Sequence, residues 1–424
     1  MIAAVPGLEF AGSYALGLLF VGLAVVAAIG ALSHEEDRAF SASIIYLGLG
    51  VVAAAGIEVL DIAWVDPIAD HALYEKAAEL AVIVALFGTG LKLDRELRWR
   101  GWQTVARLLG IAMPLTIAAV ALFGTQVMGL SLGAAIILGA TLAPTDPVLA
   151  GDIGVGPPGD EEEREPNFAI TGEAGLNDGL AFPFVLLGIV VAGDRPGGWF
   201  AEWVLTDVLY AIVVGVAMGA VVGYGLGATA VRLRDRHLLS SELDGWLAIP
   251  AVLVLYGATE VLSGLGFVAA FVGGVAFRRY EHGHEYNRRV HDGAETVEKF
   301  GELAVILLLG SMLSLHGLGA PGWAGWGLAL LVVFVLRPAT VNLALLGSRL
   351  QRPGERAFLA WFGVRGVGTL FYVAAATGLG ALSGEEARVI TWTAVAVVIL
   401  SVVLHGITAG PLSRWLSLNV LDPR

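Results

Sequence analysis

Thirteen apolar stretches run along the 424 residues, and most are long enough to cross a bilayer. They fall at about 11–31, 41–60, 77–92, 104–127, 131–153, 167–192, 203–231, 246–261, 263–277, 298–316, 322–347, 356–379 and 387–413, and are called spans 1 to 13 below. A helix needs about 20 mostly apolar residues to cross the hydrocarbon core. In lipid the backbone must satisfy its own hydrogen bonds, so stretches of this kind fold as helices. The pattern predicts an all-α polytopic membrane protein with about 13 transmembrane helices. Composition agrees, at 57% hydrophobic and 15% charged residues, against roughly 45–50% and 25% in soluble proteins. A water-soluble enzyme of this size is excluded. The 57 glycines are about twice the usual share, which lets helices approach closely in lipid.

Spans 8 and 9 form one apolar run, cut only at Ser263-Gly264. Loop charge tests that cut, because Lys and Arg collect on the cytoplasmic side. With the N-terminus outside, the inside loops hold Arg38; Arg95, Arg98 and Arg100; Arg164; Arg232, Arg234 and Arg236; Arg278, Arg279, Arg288 and Arg289; Arg349, Arg352 and Arg356; and Arg414 and Arg424, against Lys76, Arg195 and Arg388 outside. This 17-to-3 bias collapses without the cut. It predicts a cytoplasmic C-terminus; the expected location is the plasma membrane. Trp102, Trp203, Trp323 and Trp326 stand at span edges, as an interfacial belt requires. Residues 1–10 lack Lys and Arg, so no signal peptide is expected; nor is a soluble domain at either end. The acidic runs Glu35-Glu36-Asp37 and Asp160 to Glu163 read as solvated loop charge. A net charge of −13 disfavours nucleic acid. The absence of cysteine removes disulfides and thiolate chemistry.

The chain repeats itself. Glu79-Leu80-Ala81-Val82-Ile83 in span 3 recurs as Glu302-Leu303-Ala304-Val305-Ile306 in span 10. Spans seven apart run in opposite directions, so the halves are inverted repeats, a common plan for secondary transporters with sites on broken helices. The break in span 5 is Ala143-Pro144-Thr145-Asp146-Pro147, where each proline removes a backbone donor. Its mate in span 12 is Gly363-Val364-Arg365-Gly366-Val367-Gly368. Half-helix ends carry partial charges, positive at the N-terminus and negative at the C-terminus; Asp146 suits the first and Arg365 the second.

Ionisable residues within spans are functional candidates by default. Span 6 holds Glu173, Asn177 and Asp178. Glu173 and Asn177 share a helix face, while Asp178 points about 140° away. The two acids therefore cannot do one job. Arg337, before Pro338 in span 11, is available as a buried partner for Glu173. His282, His284 and His291 fall between spans 9 and 10 as candidate pH sensors, and His316 and His405 near span ends as caps.

Taken in order, Thr145-Asp146-Pro147, Glu173 with Asn177-Asp178-Gly179, Arg337-Pro338 and Gly363-Val364-Arg365-Gly366 resemble the monovalent cation/proton antiporters, NhaP-type sodium/proton exchangers. The match runs over roughly residues 140–370, and span count and repeats extend it to nearly the whole chain. The resemblance implies a transporter rather than an enzyme, with no cofactor. Asp178 would bind sodium or a proton, with Thr145 and Asp146 completing the ion site. Glu173 and Arg337 would form a structural pair, with Asn177 and Arg365 supporting the site. Residues 104–192 and 322–413 would form a moving core; 11–92 and 246–316 a dimerising scaffold; 203–231 a linker helix. Asn before the key Asp is the family pattern tied to electroneutral exchange. Many relatives have Ser after the Glu where this chain has Ala174, which bears on the choice among sodium, lithium and potassium. A potassium or mixed-cation exchanger is the alternative, and a passive channel a remote one. An intramembrane aspartyl protease needs a Gly-x-Gly-Asp setting that neither Asp146 nor Asp178 has.

Overall fold

The computed structural model describes residues 41–59, 64–148, 153–156, 164–193, 195, 197–236, 245–281, 287–350 and 352–416, with four single positions before residue 41. Nearly all of span 1, the acidic runs at 35–37 and 160–163, His282 and His284 lie outside the described residues. Among the described residues every regular element is a helix. Spans 2, 3, 6, 8, 9, 10 and 13 appear as Ala42–Val59, His71–Leu91, Glu165–Ala192, Ala248–Val261, Gly266–Glu281, Asn287–Ser311 and Gly384–Leu416. Spans 4, 7 and 11 are Trp99–Gln126, Trp199–Asp235 and Gly322–Ala344. Ser263, the one described non-glycine residue with positive φ, at 54°, turns the chain between spans 8 and 9; the cut there is real.

Spans 5 and 12 are broken. Span 5 is helical over Leu132–Leu142 and then unwinds before Pro144. Span 12 is Pro353–Trp361, five non-helical residues, then Val367–Gly378. The prolines withhold amides in one break, and glycines weaken the helix in the other.

The inverted repeat also shows in the helix mates, spans 4 and 11. Each contains a π-helical turn, Leu108–Ala112 and Val332–Leu336. Each turn is followed at once by a residue and a proline, Met113-Pro114 and Arg337-Pro338. A third π-helical segment, Trp203–Tyr210 in span 7, has no proline after it, so the shared mark of spans 4 and 11 is the turn and proline together. Thr116 and Thr340, two residues beyond the prolines, touch hydroxyl to hydroxyl at 3.1 Å. Matched residues of the two repeats meet there, so the pseudo-twofold axis passes between them.

Spans 4, 5 and 6 pack in sequence, span 11 lies against span 4, and span 13 against both breaks. Spans 2, 3 and 10 form a second group, continued by span 3 against span 9 and span 9 against span 7. The second half of span 12 leans on span 3. Span 7 meets span 9 through Gly215, Gly219, Gly223 and Gly227, one per turn, where a Cβ would strike the backbone or side chains of span 9 or the turn before it. This stripe absorbs part of the glycine excess. Opposite faces carry exposed Val213, Val216 and Val221, as lipid contact requires.

Candidate functional site

The two breaks cross and are bonded to each other. The Asp146 amide donates to the Val364 carbonyl at 2.8 Å. Asp146 Oδ2 accepts from Val367 N at 2.6 Å, the first amide of the half-helix Val367–Gly378. Its Oδ1 accepts from Val148 N at 2.9 Å. The carboxylate thus sits on a positive helix end. Arg365, 1% exposed, does the reverse: Nε donates at 3.0 Å to the carbonyl of Leu142, where span 5 stops, and Nη1 donates to Gly363. Its amide is held by Ser401 Oγ on span 13 at 2.8 Å. Arg365 has no carboxylate partner among the described residues; its role is to cap carbonyls.

Span 6 supplies the acids. Arg337 grips Glu173 with two nearly parallel bonds of 2.5 and 2.7 Å, both side chains 4% exposed. The same guanidinium reaches the carbonyls of Leu359 at 3.2 Å and Phe362 at 3.4 Å, capping the first half of span 12. Pairing and capping together suit the fork of donors that Arg offers. Asn177 Nδ2 donates to Thr145 Oγ at 2.7 Å, fixing span 6 to the unwound stretch.

Asp178 is different. It is 1% exposed, and neither carboxylate oxygen has a protein partner. It rests against Gly368, where any Cβ would overlap the carboxylate. Its backbone carbonyl accepts from the Tyr372 hydroxyl. Asp146 and Asp178 therefore face consecutive residues, Val367 and Gly368, at one half-helix N-terminus. A buried carboxylate normally has donors; one without them is open to a ligand from outside, either a proton or a cation. Ala174 is fully buried and adds no oxygen.

Thr145, Asp146, Glu173, Asn177, Asp178, Arg337 and Arg365 thus converge on one crossing. Tyr372 and Ser401 join them, although an isolated Tyr or Ser carries no sequence signal of its own; Gly368, read from the sequence as part of the span 12 break, proves also to abut Asp178. Among the described residues no trio of His, Asp and Glu converges as a metal centre. His405 is buried and bonded to Ser401 and to the Trp361 carbonyl, so it caps a half-helix within the protein. His316 lies 3.1 Å from Arg388. His291 stands in a helix, not a loop, and its pKa is pushed down to about 4, first by burial and then by Arg278 and Lys92, against the pull of Asp94 and Glu295.

The profile of the family described as "Sodium/hydrogen exchanger, transmembrane" matches residues 23–415. The chain is 27% identical over 323 residues to Na(+)/H(+) antiporter 2 of Zygosaccharomyces rouxii, covering 73% of this chain and 40% of that protein. It is 27% identical over 352 residues to the K(+)/H(+) antiporter NhaP of Alkalimonas amylolytica, covering 80% and 57%. The chain therefore spans about half the length of the curated relatives it matches. Its fold resembles that of the sodium proton antiporter MjNhaP1 of Methanocaldococcus jannaschii, with a TM-score of 0.71 at 18% identity over 93% of this chain and 100% of that one. A profile spanning nearly every helix, together with two crossed broken helices around buried acids, places this multi-pass membrane protein in the sodium/hydrogen exchanger family.

Proposed function

We propose that the chain exchanges sodium for protons across the plasma membrane by alternating access, with no cofactor and no covalent step. The observation that carries this is Asp178, buried at the crossing with both oxygens unpartnered. Burial favours the neutral, protonated carboxyl and a bound cation favours the carboxylate, so H⁺ and Na⁺ compete for one group. A bare anion crosses the low-dielectric barrier poorly. Coupling needs no more than this competition. Thr145 and Asp146 are the neighbouring oxygens for the cation. Asn177, bonded to Thr145, carries no charge of its own, consistent with electroneutral exchange.

Spans 4–6 and 11–13 would move as the core against spans 1–3 and 8–10, with span 7 as linker and the scaffold pairing two copies. The N-terminus would lie outside and the C-terminus in the cytoplasm. Potassium is the second candidate cation, because one relative is named for potassium and Ala174 gives no hydroxyl. The test is reconstitution in vesicles. Sodium should drive proton movement in the wild-type protein and not in Asp178→Asn. Wild-type-like exchange in that variant refutes the assignment, and parallel runs with Li⁺ and K⁺ decide the cation.

A further inference from the structure

On the arginine-rich face, read from the sequence as cytoplasmic, three arginines share one cavity. Arg100, Arg107 and Arg349 line a space of about 340 Å³. Its walls come from the first turns of spans 4, 6 and 12 and from the chain just after span 11. Those three helices begin at Trp99, Glu165 and Pro353, so three positive helix ends meet at one place. Two acids also line it, and both are already neutralised. Glu165 accepts from Arg95 Nη1 at 2.5 Å and from Thr104 Oγ1 at 2.6 Å. Glu355 lies 3.9 Å from Arg352. Arg107 donates to the carbonyls of Ala344 and Leu346, where span 11 ends. Arg100 and Arg349 are exposed and have no hydrogen bond or ion pair among the described residues. Ser348 lines the same cavity, is 8% exposed, and its Oγ has no partner.

The bias of Lys and Arg towards one side of the membrane accounts for arginines at this level. It does not account for a walled cavity, or for a buried hydroxyl left unpaired, which is uncommon. Both suit an anion with several acceptor oxygens. Guanidinium forks match phosphate oxygens, and helix N-termini receive phosphate through their free amides. The volume is at the low end for small-molecule sites, enough for a phosphate with a small organic group. Leu343 and Leu346, at the end of span 11, are exposed and set lipid-facing surface beside the Arg107 contact.

We propose that this cavity binds a phosphate ester, held by Arg100, Arg349 and Ser348 with Arg107 at its wall. A phospholipid headgroup and a small soluble phosphate share that chemistry. The bound group would fasten spans 4 and 6 of one repeat to spans 11 and 12 of the other, at the ends of the helices that carry Asp178, Arg337 and Arg365. Binding here needs no transport, so the proposal stands or falls apart from the exchange function.

Thermal unfolding of the delipidated protein in neutral detergent tests it, at constant ionic strength set with chloride. The probes are glycerol phosphate and short-chain phosphatidylglycerol, with diacylglycerol of the same chain length as the control without phosphate. At least one phosphate probe should raise the unfolding temperature of the wild-type protein in a saturable way, which yields a Kd. The tighter of the two identifies the source. Arg100→Gln combined with Arg349→Gln should weaken binding about tenfold or more, from about fivefold per surface arginine. Ser348→Ala should weaken it about fivefold, the worth of one hydrogen bond. Without ligand that variant should unfold no earlier than wild type, because it removes a buried hydroxyl that has no partner. Arg232→Gln combined with Arg236→Gln, at the arginine-rich end of span 7, should leave the Kd unchanged. No protection by either phosphate probe, equal protection by diacylglycerol, an unchanged Kd in the cavity variants, or equal weakening in the span 7 variant overturns the proposal.

Discussion

Replacing Glu173 by alanine strands a buried cation. Arg337 would keep its bonds to the Leu359 and Phe362 carbonyls but lose both charged contacts at 2.5 and 2.7 Å. Breaking one side of a buried pair costs about 3–5 kcal/mol, a large share of a typical stability of about 5–15 kcal/mol. Arg337→Met strands Glu173 instead and also uncaps the two carbonyls, each worth about 1–3 kcal/mol when left unsatisfied. It should be the worse single change. Removing both together, as Glu173→Leu with Arg337→Met, leaves no buried charge. Only the capping loss then remains, about 2–6 kcal/mol by the same figures, less than the sum of the singles by several kcal/mol. Thermal unfolding and monodisperse yield in detergent read this out, with sodium affinity measured on whatever folds. The expected order of stability is wild type, then Glu173→Ala, then Arg337→Met, with the double variant above the latter. A stable Glu173→Ala protein with altered ion preference refutes the reasoning and moves Glu173 into the ion site.

Gly368→Ala places a methyl group on the Asp178 carboxylate; exchange in vesicles should fall to background, with a stability loss of about 1–3 kcal/mol from overpacking. Asp146→Ala removes the acceptor for Val367 N, an N-cap worth about 0.5–2 kcal/mol; unfolding should shift modestly while exchange falls far more. His291 has its pKa lowered to about 4 from 6.5, so between those values only the unfolded chain takes the proton, and stability falls as pH drops through that window. His291→Gln should flatten this loss, seen as a smaller change in unfolding temperature between pH 7 and pH 5.

Hydrophobic length and loop arginines were enough to place the helices, because lipid leaves the backbone so few alternatives. The two breaks were legible for the same reason: Pro144, Pro147 and the glycines around Arg365 have no other use in mid-membrane. Charge alone also brought Asp146 and Arg365 to helix ends of opposite sign. It could not say that Arg365 would hold carbonyls rather than a carboxylate, since the position of Leu142 depends on where span 5 stops. Arg337 as a double-duty group, Tyr372 behind Asp178 and the cavity beside Ser348 are facts of packing between distant spans. The matched π turns of spans 4 and 11 were likewise invisible as letters, although Pro114 and Pro338 stand just beyond them.

The central claim is that one carboxylate, Asp178, takes either a proton or a sodium ion. The KM for sodium measured across pH in reconstituted vesicles tests it most directly. Simple competition at one group predicts a KM that rises about tenfold per unit of acidification at low pH, with the maximal rate unchanged at saturating sodium. A KM that stays flat while the maximal rate falls would show that protons and sodium act at different groups, and would contradict the account.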